Sequence, residues 1–118
     1  MNIESFRDYC LAKPGVTEEF PFDESTLVFK VGGKMFALTD LEEEFRVALK
    51  CDPQYSIELR ERFSAITPAY HMSKIHWIDV NNATSFDEKL LMQLIDESYE
   101  LVFKGLTKKM RAVIRING

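Results

Sequence analysis

The chain has 118 residues, 46% hydrophobic and 29% charged, with a net charge of −4. That is the size of one ordinary domain, expected to span 1–118, and it is rich enough in apolar residues to build a core and exclude disorder. No apolar run approaches membrane-spanning length, and the polar, acidic start MNIESFRDYC is no signal peptide. The expected location is therefore cytoplasmic, with Cys10 and Cys51 reduced, and without a CxxC there is no zinc ribbon or redox pair. Charge is uneven. After Glu100 come five cations (Lys104, Lys108, Lys109, Arg111 and Arg115) and no acid, leaving a net −9 on the first hundred residues. Such a tail can meet an acidic partner, or simply complement helix C-termini.

Ile3, Phe6 and Cys10 recur at helical spacing behind Asn2, an N-cap residue, and Pro14-Gly15 stops that helix. The stretch from Val16 to Asp40 is rich in β-branched and aromatic residues, with Gly32-Gly33 as a hairpin turn. A regular two-residue hairpin sets Val31 against Lys34, Phe29 against Phe36 and Leu27 against Leu38. Leu27, Phe29, Phe36 and Leu38 then share the core face, and Val28, Lys30, Met35 and Ala37 the other. After the acidic turn Asp40–Glu44, FRVALKC reads as a strand with Val47, Leu49 and Cys51 inward and Arg46, Ala48 and Lys50 outward. Asp52-Pro53 opens a second helix, as N-cap and N1, which carries Tyr55 or Ile57, then Leu59 and Phe63. Lys74 to Val80 reads as a further strand ending at Asn81-Asn82. The run Ser85-Phe86-Asp87-Glu88 fits a capping box. Behind it Leu90, Leu91, Leu94, Ile95, Ser98, Leu101, Val102 and Leu106 form a stripe of period 3.6. Gly105 kinks or ends this helix, and a short basic helix follows. The element order implies an α+β domain, an antiparallel sheet with helices on one face and its second face open.

The runs FKVGGKMFAL, LKCDP and PAYHMSKIHW resemble the MmcQ/YjbR family of small bacterial proteins, and the resemblance covers nearly the whole chain. It implies a CyaY/frataxin-like fold and a predicted DNA-binding role for hairpin "wings". The family has no accepted catalytic residues, so the resemblance carries over no active-site positions.

The residues themselves offer several readings. His71 and His76 lie five apart, on opposite faces of any regular strand, which suits structural histidines better than metal ligands. Iron on acidic ridges such as Glu18-Glu19 or Glu42-Glu43-Glu44, as in the fold's relatives, would need carboxylates on the first helix. That helix offers only Glu4 and Asp8 beside Arg7 and Lys13. Cys51 with His71 or His76 could form a thiol–base pair, but its parity with Val47 and Leu49 places it in the core. VGGK is too short for a phosphate loop. The expectation is thus a protein that is not an enzyme and holds no cofactor or metal. On the outward parity, Trp77 shares the open face with Lys30, Arg46 and Lys50, the hairpin adds Lys34, and Lys74 precedes the last strand. A tryptophan among cations suits phosphate contact and base stacking, hence DNA, or a protein partner; alternatively Trp77 is buried and the cations are scattered. Tyr70 is expected to cap the core, and His71 to be exposed.

Overall fold

The structure, a computed structural model, describes residues 1–117, with the side chains of residues 1–115. Six strands form one antiparallel sheet in the order β1-β2-β3-β4-β6-β5. In chain order the elements are α1 (Ile3–Leu11), β1 (Val16–Glu19), β2 (Thr26–Val31), β3 (Lys34–Asp40), β4 (Val47–Lys50) and α2 (Pro53–Arg62). They continue with β5 (Ile66–Pro68), β6 (Trp77–Val80), α3 (Glu88–Lys104) and α4 (Lys108–Asn117). All four helices contribute to a single core on one side of the sheet, through Phe6 and Cys10, Leu59, the inner face of α3, and Ile114. This is the expected α+β arrangement.

Local chemistry sets the helix ends. Asn2 accepts from the Ser5 N–H at 2.8 Å while the Ser5 hydroxyl accepts from the Asn2 N–H at 2.9 Å, a reciprocal cap. Asp52 accepts from the N–H groups of Gln54 and Tyr55, with Pro53 at the first helical position. For α3 the cap is Asp87, not Ser85: its carboxylate accepts from Lys89 and Leu90, and the helix begins at Glu88. The core face of α3 is Leu91, Leu94, Ile95, Ser98, Tyr99, Val102 and Phe103. Leu101 lies off that face and is 39% exposed.

The hairpin departs from the regular register, and the departure redistributes side chains. Val31 does face Lys34 and Lys30 faces Met35, but a bulge at Phe36 shifts the pairing so that Phe29 faces Ala37 and Leu27 faces Thr39. Ala37 therefore joins Phe36 in the core, and Leu38 moves to the second face. An extra residue in one strand reverses the parity of everything beyond it. The bulge leaves the Phe36 carbonyl free to accept a hydrogen bond from the Ser98 hydroxyl at 2.5 Å; the Ser98 hydroxyl oxygen in turn accepts from the Lys50 N–H at 2.9 Å. Ser98, fully buried, thus ties α3 to both β3 and β4.

At the turn, Gly32 and Gly33 have φ of +58° and +80°, the left-handed conformation that a two-residue hairpin needs and glycine adopts freely. A Cβ on Gly32 would fall 2.6 Å from Leu106 Cδ1, whereas one on Gly33 would meet nothing within 4 Å. The tip is thus seated on the α3–α4 corner and is not a free wing. Both Gly32→Ala and Gly33→Ala should destabilise by about 1 kcal/mol or more through the backbone. Gly32→Ala should cost measurably more, since Leu106 must also move, which urea melts of the two variants would resolve.

Two short strands escaped the sequence reading. β1 is an edge strand separated from β2 by the loop 20–25, in which Asp23 accepts from the N–H groups of Ser25 and Thr26. β5 is the other edge, ending at Pro68, whose missing N–H suits an edge. β6 is shorter than expected: residues 69–76 form a loop, and pairing with β4 begins only at Trp77.

Candidate functional site

The parity reading of β4 and β6 holds. Val47, Leu49, Cys51, Ile78 and Val80 face the helices, while Ala48 and Trp77 form a separate small cluster on the second face. That face is not bare. The 69–76 loop folds back over it, so that Ala69 and Met72, with Met35 and Leu38, pack around Ala48 and Trp77. The loop is held by the Ala69 N–H on the Trp77 carbonyl, the Trp77 N–H on the Ser73 carbonyl and the Tyr70 N–H on Asp79 Oδ2 at 3.1 Å.

The indole of Trp77 is consequently only 7% exposed. Its face cannot stack on a base; it serves as floor. The large aromatic groups that do reach solvent beside this face are Phe22 (62% exposed) and Tyr70 (72% exposed). Tyr70, expected to cap the core, instead stands outward with its ring edge-on to that of His71, itself exposed. Their signal in the sequence is position: each sits in a loop flanked by proline, where a large ring has no strand neighbour to pack against.

Two cavities lie on this face and share Phe22. One, a trough of about 450 Å³, is lined by Pro21, Phe22, Gly33, Met35 and Trp77 together with three lysines, Lys30, Lys34 and Lys50. The other, about 320 Å³, is lined by Phe22, Leu38, Ala48, His71 and Met72, with Arg46, Asp79, Asp40 and Asp23 among its polar groups. The candidate residues therefore divide. Lys30, Lys34, Lys50 and Trp77 converge on the trough, Arg46 belongs to the second cavity, and Lys74 lines neither; Lys50 also borders a cavity that holds Asp52, Asp96, Glu97 and Glu100.

Their charges are unequally available. Lys30 pairs with Glu19 at 3.4 Å, and Arg46 with Glu43 at 2.9 Å and Asp79 at 3.8 Å. Lys74 directs its ammonium to the Ala69 and Tyr70 carbonyls and over the Tyr70 ring, holding its own loop. Lys34 and Lys50 make no ion pair among the described residues. The acidic ridge is partnered too: Glu18 accepts both Arg7 Nε and Nη2, which holds its carboxyl below the usual carboxylate range. Among the described residues no three His, Cys, Asp or Glu side chains gather as a metal ion requires.

A third cavity, about 640 Å³, opens on the helical side and is lined by Cys51, Tyr55, Ile78, Leu94 and Leu101, with charged groups at its rim. Burial pushes the Cys51 thiol up to about 11, and Glu97 and Asp52 add to the shift. A thiol so disfavoured as thiolate is poorly suited to attack, and neither histidine lines the cavity. Three of its carboxylates are already engaged: Asp52 caps α2, Asp96 accepts from Tyr9 and Lys13, and Glu97 accepts from Gln93.

The pattern of the YjbR family matches residues 11–101. The chain belongs to the YjbR family. It is 38% identical over 113 residues to the uncharacterized protein YbdF of Escherichia coli O157:H7, covering 95% of this chain and 93% of that one. It is 30% identical over 115 residues to the uncharacterized protein YjbR of Escherichia coli K12, covering 97% and 98%. The crystal structure of the Deinococcus radiodurans protein DR2400 superposes with a TM-score of 0.89 at 40% identity, over 96% of this chain and 87% of that one. A Pseudomonas syringae protein superposes at 0.74 and 29% identity, over 86% and 99%. This YjbR-family chain therefore shares its architecture with relatives along nearly its whole length. Among its described residues no helix is long and apolar enough to cross a membrane.

Proposed function

We propose that this protein is a non-enzymatic module that binds nucleic acid, DNA foremost, along the second face of its sheet. The observation that carries the reading is the trough, in which Lys30, Lys34 and Lys50 surround one concave surface and two of the three make no ion pair among the described residues. Cations so placed neutralise phosphates, and release of condensed counterions supplies the affinity. The exposed Phe22 at the trough's wall offers the stacking surface that the buried Trp77 does not. Sequence preference from the trough itself is weak, because phosphates are read without regard to base. The protein's overall charge of −4 opposes long-range attraction, so binding is modest and confined to low salt.

The test is anisotropy of a labelled 12-mer, duplex and single-stranded, titrated at two salt concentrations. Three neutralised phosphates predict a slope of log affinity on log salt of about −2.7 for the duplex and about −2.1 for the single strand. Absence of binding at low salt, or binding indifferent to salt, would reject the reading. A second reading has its own observation: Phe22, Tyr70 and Ile75 are all exposed on the loops beside this face, as at a protein-docking surface. Capture of a protein partner with little salt dependence would favour it.

A further inference from the structure

The second cavity differs in character from the trough, and the difference suggests what occupies it. Its most buried charged group is Asp79, 5% exposed, on β6. Oδ2 accepts the Tyr70 N–H and lies 3.8 Å from Arg46 Nε, while Oδ1 accepts no hydrogen bond among the described residues. Oδ1 is not a sealed, unpartnered atom, and Asp79 borders a space of about 320 Å³ walled by Phe22, Met72 and Leu38, from which a donor could reach it. The other charged groups of the cavity are engaged: Arg46 pairs with Glu43 and Asp79, Asp23 accepts from the Ser25 and Thr26 N–H groups and Asp40 from the Glu42 N–H. A slot with apolar walls and one deep, unpartnered carboxylate oxygen selects a flat group that carries N–H donors on its edge.

We propose that this cavity receives one unpaired base of a bound strand, guanine by preference, whose adjacent N1–H and N2–H donors meet the Asp79 carboxylate. Phe22, shared by both cavities, stacks against that base, and the neighbouring phosphates run into the lysine trough. The two cavities thereby set the polarity of the ligand, because Asp79, Asp40 and Asp23 repel phosphate from one end while Lys34 and Lys50 attract it to the other. Adenine and thymine do not place two adjacent donors on one edge, and cytosine offers only its exocyclic amino group beside an acceptor. This inference rests on the nucleic-acid reading above and adds base preference to it.

The test uses nine-residue DNA strands of thymidine with a single central guanine, inosine or adenine, beside the all-thymidine strand. The guanine strand should bind on the order of tenfold tighter than the all-thymidine strand. Inosine, which lacks the N2 amino group, should lose most of that advantage. The conservative Asp79→Asn keeps an oxygen for the Tyr70 N–H; it should abolish the guanine preference and leave the all-thymidine strand bound as before. Equal, salt-dependent binding of all four strands would overturn the base pocket and leave the phosphate trough standing. No binding by any strand would overturn both. Free guanosine monophosphate binding as tightly as the strand would show a nucleotide site and not a strand site, contradicting the proposal. The inosine comparison needs no variant, so the outcome does not depend on Asp79→Asn folding.

Discussion

Ser98→Ala is expected to lower the free energy of unfolding by about 2–4 kcal/mol, the consequence of leaving two buried backbone groups without partners. The hydroxyl is the link between the Phe36 carbonyl, set free by the bulge, and the Lys50 N–H on the neighbouring strand. The site is dry, with Ser98 fully buried, so water cannot replace the lost bonds cheaply. A urea melt should show a midpoint lowered by roughly 1–3 M at an unchanged slope. Leu101→Ala, on the same helix but partly exposed, should cost far less. A Ser98→Ala variant within 0.5 kcal/mol of the parent would mean that the bulge does not depend on α3. The change should also weaken ligand binding modestly, since the strand end that carries Lys50 loses its anchor.

Charge reversal of Lys34 and Lys50 together should reduce DNA affinity roughly ten- to hundredfold at low salt and flatten the salt slope by about two. Neither side chain makes an ion pair among the described residues, so the folded state loses no partner. The control is Lys108→Glu with Lys109→Glu, the same change in net charge on the exposed start of α4. If the trough is the site, the control should lose only a fraction as much. Equal losses would show that general charge governs binding and that the basic helix is as good a ligand surface as the sheet.

Helix caps and stripes were largely legible in the sequence because their determinants are local. Asn2, Asp52-Pro53 and the α3 periodicity each act within one or two turns. The outward parity of Arg46, Ala48 and Lys50, and of Trp77, was legible for the same reason. What lay beyond reach was non-local. The bulge at Phe36 has its carbonyl satisfied by Ser98, 62 residues on, and no pattern within the hairpin announces it. Missing it put Leu38 on the wrong side. The burial of Trp77 depends on a loop folding back through Tyr70 and Asp79, which strand periodicity cannot show. Neutralisation of Lys30 and Arg46 by Glu19 and Glu43 likewise follows from strand pairing and turn shape. Of the six side chains put forward for nucleic acid, the geometry leaves exposed Lys34 and partly exposed Lys50 without an ion pair among the described residues, with Lys30 beside them.

The most direct test is amide chemical-shift mapping with a short single-stranded oligonucleotide at low salt. Shifts gathered on residues 20–22, 30–35, 50 and 77, with α1 and the outer face of α3 unmoved, are what a phosphate trough on the second face predicts. Perturbations centred on α3, or none at saturating oligonucleotide, would contradict it.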